Sequence, residues 1–159
     1  MFLPSEIEDA ELQALYQYWR RKHRGDRLPR RADIDPIEIP GLLKNIAILR
    51  VSDEAEDFVF ALAGSRIEEV HGRALKGVSL RQLQAEFEVS PSVRRYHDAV
   101  NSREPQFQRA NLKEFGKAHW SCRRLILPLS SDGERIDALM MGAVFSSVTD
   151  SDQDTWLSD

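Results

Sequence analysis

The chain has 159 residues, with 22 Lys and Arg against 26 Asp and Glu and a formal net charge of -4. That length suits one domain, and 42% hydrophobic with 30% charged residues is a globular rather than a disordered composition. The acidic balance argues against a dedicated nucleic-acid surface, the single cysteine, Cys122, excludes an internal disulfide, and the longest apolar stretch free of acidic and basic residues, Ala138 to Thr149, is well short of the ~18 residues of a membrane-spanning helix.

The first basic residue is Arg20, so no secretory signal is expected and the cytoplasm is the expected location, with neither membrane nor nucleic acid as partner. Ser5 and Glu8 have the spacing of a capping box, which predicts a helix over about 6–24. Its acids Glu6, Glu8 and Asp9 lie at the positive end of the helix dipole and Arg20 to Arg24 at the negative end, before Gly25. Leu12, Leu15, Tyr16 and Trp19 form one apolar stripe that must be buried on this domain or on a partner. Asp35, Pro36 and Glu38 predict a further short helical turn to about Leu43.

Ile46 to Val51 and Phe58 to Ala63 are β-rich runs around an acidic turn, and read as a hairpin. Ser65 with Glu68, Ser79 with Gln82, and Ser90 followed by Pro91 predict three helical segments, the last ending near Asn101 ahead of Pro105. Three extended runs follow, Gln106 to Glu114, Ala118 to Leu129 and Glu134 to Phe145, with turns at Gly116 and at Asp132 with Gly133. Segregated strands and helices predict an α+β domain over 1–145, an antiparallel sheet with helices on one face plus the N-terminal amphipathic helix. The segment 146–159 holds four aspartates and no basic residue, and is expected to be a loosely ordered tail in which Trp156 and Leu157 could dock.

Three stretches together resemble a bacterial family of small, stand-alone PAS domain proteins: Tyr18 and Trp19 through Arg24 to Pro29, Arg31 to Pro36, Ile39 and Pro40; Phe60 to Arg66 through Gly72, Arg73, Leu75, Gly77 and Ser79; and Arg124 to Leu129 with Gly142 and Phe145. The resemblance spans roughly Ala10 to Phe145 in the family's block order. It implies a five-stranded antiparallel sheet whose first two strands are joined to the last three through short helices, and a role in sensing or protein interaction rather than catalysis. Where the family carries an aromatic or aliphatic residue before Gly72 and Arg73, this chain has His71.

PAS pockets lie between the inner sheet face and the central helices, so the resemblance makes His71, Tyr96, His97, Trp120, Cys122 and Met141 the pocket candidates. His97, on the helix before the third strand, is where haem-binding PAS domains place an axial ligand, and a proximal histidine suffices to hold haem iron. This haem-based gas or redox sensor is the alternative to a sensor without a tightly bound cofactor. A flavin photosensor would need a cysteine on a helix within an Asn, Cys, Arg motif, whereas Cys122 falls in a predicted strand, where a buried thiol acts as a small hydrophobe. Arg27 and Arg31 have the spacing of a cyclic-dinucleotide grip without the rest of that motif, and the cluster Arg20 to Arg31 reads as a solvated helix end.

The four histidines show neither i, i+4 pairing nor the flanking carboxylate of a zinc helix, and no catalytic motif is present, so neither a metal site nor an enzyme is expected. The sequence therefore predicts a homodimer through Leu12, Leu15, Tyr16 and Trp19, acting on a separate signalling protein, with a small molecule in the pocket.

Overall fold

The structure, a computed structural model, describes residues 4–53, 56–84, 87–112 and 117–147. Helix α1 (Ala10–Arg21) comes first, then 3-10 turns over Arg31–Asp33, Pro36–Glu38 and Pro40–Asn45, then strands β1 (Ile46–Val51) and β2 (Phe58–Ala63). Helices α2 (Ser65–His71), α3 (Leu80–Leu83) and α4 (Pro91–Ser102) lead into β3 (Gln106–Leu112), β4 (Lys117–Leu129) and β5 (Ala138–Ser147). All strand pairs are antiparallel, and the order across the sheet is β2-β1-β5-β4-β3. The α+β class, the five-stranded sheet and the order of elements are those the sequence predicts.

Both faces of this sheet are covered, and strand alternation assigns each residue to one of them. Ala47 and Leu49 of β1, Ile126 of β4, and Leu139, Met141 and Ala143 of β5 join Ile67, Leu80, Val93 and Tyr96 of α2, α3 and α4 in one core. Ile46 and Ile48, Leu125, Leu127 and Leu129, and Ala138 and Met140 join Leu12, Leu15, Tyr18 and Trp19 of α1 in the other. The near-continuous apolar runs of β1, β4 and β5 are thus those of strands with no wet face.

This corrects the expected use of the α1 stripe. Leu12, Leu15 and Trp19 are at most 3% exposed on their own sheet, and the stripe includes Tyr18 while Tyr16 is half-buried at its rim. The helix approaches closely because β5 carries Gly142 beneath it, where a Cβ would stand 2.5 Å from Leu15 Cδ2 and 3.0 Å from Leu12 Cδ2. The Trp19 indole N–H donates to the Pro128 carbonyl at 2.9 Å. Pro128 lies beyond the last β3–β4 pair, Gln106 with Ile126, where a missing ladder donor is tolerated.

The helix starts later than its acidic residues suggest. Pro4–Glu6 is a single 3-10 turn, and Asp9 is the N-cap of α1 without a side-chain cap bond. Asp9 instead accepts from Arg123 Nε of β4 at 2.7 Å, and Glu8 lies 3.3 Å from Arg109 Nη2 of β3. Ion pairs to the sheet have taken the groups that would have capped the helix. The helix ends at Arg21 with Lys22 as C-cap, and Gly25, at φ +62°, sits in a turn closed by Arg24 and Arg27 rather than stopping the helix.

A similar substitution occurs at α2. Gly64, not Ser65, is its N-cap, at a position where any side chain would run into the Leu43 carbonyl, and Glu68 accepts from the Leu75 N–H at 2.7 Å. The predicted caps at Ser79 with Gln82, at Ser90 and at Asp35 all form. The chain after α2 returns along the outer side of β2, where Phe60 N–H donates to the Val78 carbonyl at 2.9 Å and Gly77 N–H to the Phe60 carbonyl at 2.8 Å. The last strand begins at Ala138 rather than Glu134, since Asp132 accepts from the Glu134 and Arg135 N–H groups, each at 2.8 Å, and extends the turn. Gly116 and most of the expected tail, 148–159, lie outside the described residues.

Leu15→Ala tests the burial of the stripe. It is expected to lower stability by about 2–5 kcal/mol, read as a lower urea midpoint. Unchanged stability with an altered oligomeric state would return the stripe to an intermolecular role.

Candidate functional site

The inner face of the sheet and α2, α3 and α4 enclose a cavity. Ile67 and His71 reach it from α2, Leu80 and Leu83 from α3, Tyr96 from α4, and Phe60 from β2. The floor is Leu112, Cys122, Arg124, Met141, Ala143 and Phe145 from β3, β4 and β5. Its free volume is about 20 Å³, room for roughly one water-sized group.

Four of the six residues named from sequence meet here: His71, Tyr96, Cys122 and Met141. Trp120 and His97 are not among the lining residues. Trp120 packs at the end of the sheet beside Val70, Ala110, Leu112 and Cys122, with the Arg66 guanidinium 4.9 Å from its ring centre. His97 follows Tyr96 on α4, and a step of about 100° around a helix carries it off the cavity face. Its ring meets Phe58 and Phe87 edge-on, with centroids 5.0 and 6.1 Å away.

Arg124 is the residue that sequence reading passed over. It shares a strand face with Cys122 and Ile126, is 4% exposed, and lines the cavity. Its Nη2 donates to the Ser92 carbonyl at 3.1 Å and to Gln108 Oε1, and its guanidinium lies 5.0 Å from the centre of the Tyr96 ring. Burial pushes the Tyr96 hydroxyl to a higher pKa, against the lowering influence of Arg124, so it stays protonated near neutral pH. The ring and hydroxyl of Tyr96 and two neutral oxygens compensate a charge whose removal from water costs several kcal/mol.

The family model described as PAS domain matches residues 7–144. The chain belongs to the PAS domain family. Two solved structures with TM-scores above 0.5 agree on the fold. The dark structure of the blue-light photoreceptor Aureochrome1 LOV is 13% identical with a TM-score of 0.51, covering 83% of this chain and 96% of that one. The Rhodobacter sphaeroides LOV protein is 11% identical with a TM-score of 0.51, covering 77% and 74%. The PAS domain of Bordetella pertussis BvgS is 15% identical with a TM-score of 0.48, covering 77% and 90%. No curated protein matches the sequence significantly.

The residues of this PAS domain do not fit a flavin or a haem. Pockets for molecules of that size run to ~300 Å³ or more, against about 20 Å³ here. Cys122 is on strand β4 rather than on a helix, and His97 is not among the residues lining the cavity. Among the described residues no three His, Cys, Asp or Glu side chains come together to hold a metal ion.

Five members of the basic cluster of this PAS domain, Lys22, Arg24, Arg27, Arg30 and Arg31, are engaged with acids and carbonyls. Arg24 and Arg30 both contact Asp33 Oδ1, at 2.7 and 2.9 Å, and Lys22 Nζ lies 2.9 Å from Glu38. Arg27, half of the dinucleotide-like spacing, donates to the Asp132 carbonyl at 3.2 Å, and Arg31 to the Ile34 carbonyl at 3.4 Å. Glu38 also accepts from the Tyr18 hydroxyl at 2.8 Å, tying α1 to the following turns.

Asp33 gives this segment a pH dependence. The Arg30 guanidinium holds its carboxyl well below the usual carboxylate range, against the effect of burial and with help from the Arg30 N–H and Arg24. A folded-state pKa below the unfolded value of ~3.9 stabilises above about pH 4 and loses that contribution as pH falls. Asp33→Asn should therefore have a lower urea midpoint than wild type at neutral pH and a flatter decline toward acid pH. Parallel acid limbs for the two proteins would remove Asp33 from the account.

Proposed function

We propose that this PAS domain is a non-catalytic sensor and protein-interaction module of bacterial signal transduction, in which occupancy of the cavity changes how α1 lies on the sheet. The observation that supports this is the layout of β5. Met141 and Ala143 line the cavity, while the intervening Gly142 receives Leu12 and Leu15 of α1 on the opposite face. A shift of β5 driven from one side is felt on the other, because packed cores move between discrete arrangements rather than deform continuously. A ligand biases that equilibrium only by its difference in affinity for the two arrangements.

The outward side of α1, with Glu11, Gln17, Arg20 and Arg21 exposed, is the surface offered to a separate signalling protein. A homodimer, the commonest closed assembly, would use this polar side, since Leu12, Leu15 and Trp19 are occupied within the chain.

Filling the cavity tests the coupling. Ala143→Leu adds bulk at a lining position, and amide exchange in α1 is expected to accelerate several-fold more than the loss of global stability, read from the urea midpoint, accounts for. An acceleration no larger than the global loss would mean general destabilisation and defeat the coupling. Native mass spectrometry of freshly purified protein with its absorption spectrum reads subunit number and any bound mass together. A dimer supports the assembly proposed, and a monomer at working concentration overturns it.

A further inference from the structure

The two outer edges of the sheet differ. Along β2 the returning chain bonds to the backbone of Phe60. Along β3, which pairs with β4 on its inner side, no backbone hydrogen bond arrives from outside the sheet among the described residues. An edge strand in that state presents a row of N–H and carbonyl groups to whatever lies beside it. Two adjoining hollows lie there, of about 550 and 460 Å³, and both are lined by Glu6, by Arg95 of α4 and by Phe107 of β3. Together they form a groove that follows β3 from Gln106 to Arg109, between α4 and the segment before α1.

The groove carries charge that its own side chains leave unbalanced. Glu8 lies 3.3 Å from Arg109. Glu6, Asp98, Glu104 and Arg95, which line the hollow at the start of β3, form no ion pair among the described residues. Three carboxylates against one guanidinium leave a net charge of -2 at that end. Phe107, half-buried against the α1 core, supplies an apolar footing in the same groove.

We propose that the β3 edge is a docking site for an extended segment of a separate protein that bears lysine or arginine and adds to the sheet as a further antiparallel strand. In this mode of recognition main-chain hydrogen bonds to the edge give affinity, and alternate side chains give specificity. Here one face of the added strand meets Phe107, and a cation of the segment balances Glu6, Asp98 and Glu104. A second copy of this chain fits the edge less well. An isologous contact brings the same net charge from each side, and the register centred on β3 sets Arg109 opposite its own copy, where like charges destabilise. This surface is distinct from the outward side of α1 and does not depend on occupancy of the cavity.

The full-length chain, isotopically labelled, is titrated with a capped peptide of alternating lysine and valine, and with its counterpart of alternating glutamate and valine. The lysine peptide is expected to shift the β3 amide resonances saturably, with a dissociation constant that rises several-fold on adding salt, and the glutamate peptide to leave them unmoved. Two further lysine peptides carry N-methyl groups, one on the lysines and the other on the valines. Strand addition requires that one of the two sets, whose N–H groups face β3, abolishes binding while the other does not, whereas adsorption by charge alone is indifferent to both. In the double variant Glu6→Lys with Glu104→Lys, both at exposed positions, affinity for the lysine peptide should fall at least several-fold. No saturable β3 shift with the lysine peptide, equal affinity for the lysine and glutamate peptides, or equal effects of the two methylated sets overturns the proposal. A dimer in sedimentation whose β3 amides are protected without peptide also overturns it, in favour of a second copy at this edge.

Discussion

Everything else in this structure depends on a sheet that is dry on both sides. An antiparallel sheet with one wet face would need only α2, α3 and α4, and α1 would be an appendage free to seek a partner. Because β1, β4 and β5 alternate apolar side chains to both faces, removing α1 would expose a second core. At roughly 25 cal/mol per Å² of apolar surface, uncovering several large side chains is comparable with the whole stability of a small domain. The N-terminal helix is therefore as much part of the fold as the strands. Any signal that passes through it must tilt or slide a packed element rather than release a loose one.

The legible parts of the fold are those set by local chemistry. The hairpin strands, the caps at Ser79 and Ser90, and the start of α4 at Pro91 depend on residues within a few positions of one another, and they form as predicted. The failures share a cause. Ser5 with Glu8 and Ser65 with Glu68 have the spacing of capping boxes, but Glu8 and Asp9 are drawn to arginines of β3 and β4, and Glu68 to the backbone of Leu75. Local motifs give way where a partner distant in sequence makes a better charge-assisted bond.

The cavity was partly legible for the same reason. Tyr96, Cys122 and Met141 could be placed by strand and helix period, and His71 by its break from the family pattern. Arg124 sits among Leu125, Ile126 and Leu127, where a charge next to an apolar run reads as the end of the buried stretch. The signal that could have found it was parity: Cys122, Arg124 and Ile126 share one face, and Arg123 shares the other with Leu125 and Leu127. Two adjacent arginines thus have opposite fates, one paired with Asp9 on the α1 side and the other enclosed on the cavity side.

The segment that returns along β2 has a further consequence. Its backbone bonds at Phe60 occupy the rim on which another chain could otherwise build, and β3 is the other rim of the sheet. Unlimited stacking of copies strand upon strand needs two open rims on each molecule. With one rim occupied, such association stops when two copies meet. A domain lined with so many continuous apolar strands thereby has a topological guard against fibre growth, set by a few backbone hydrogen bonds at one rim.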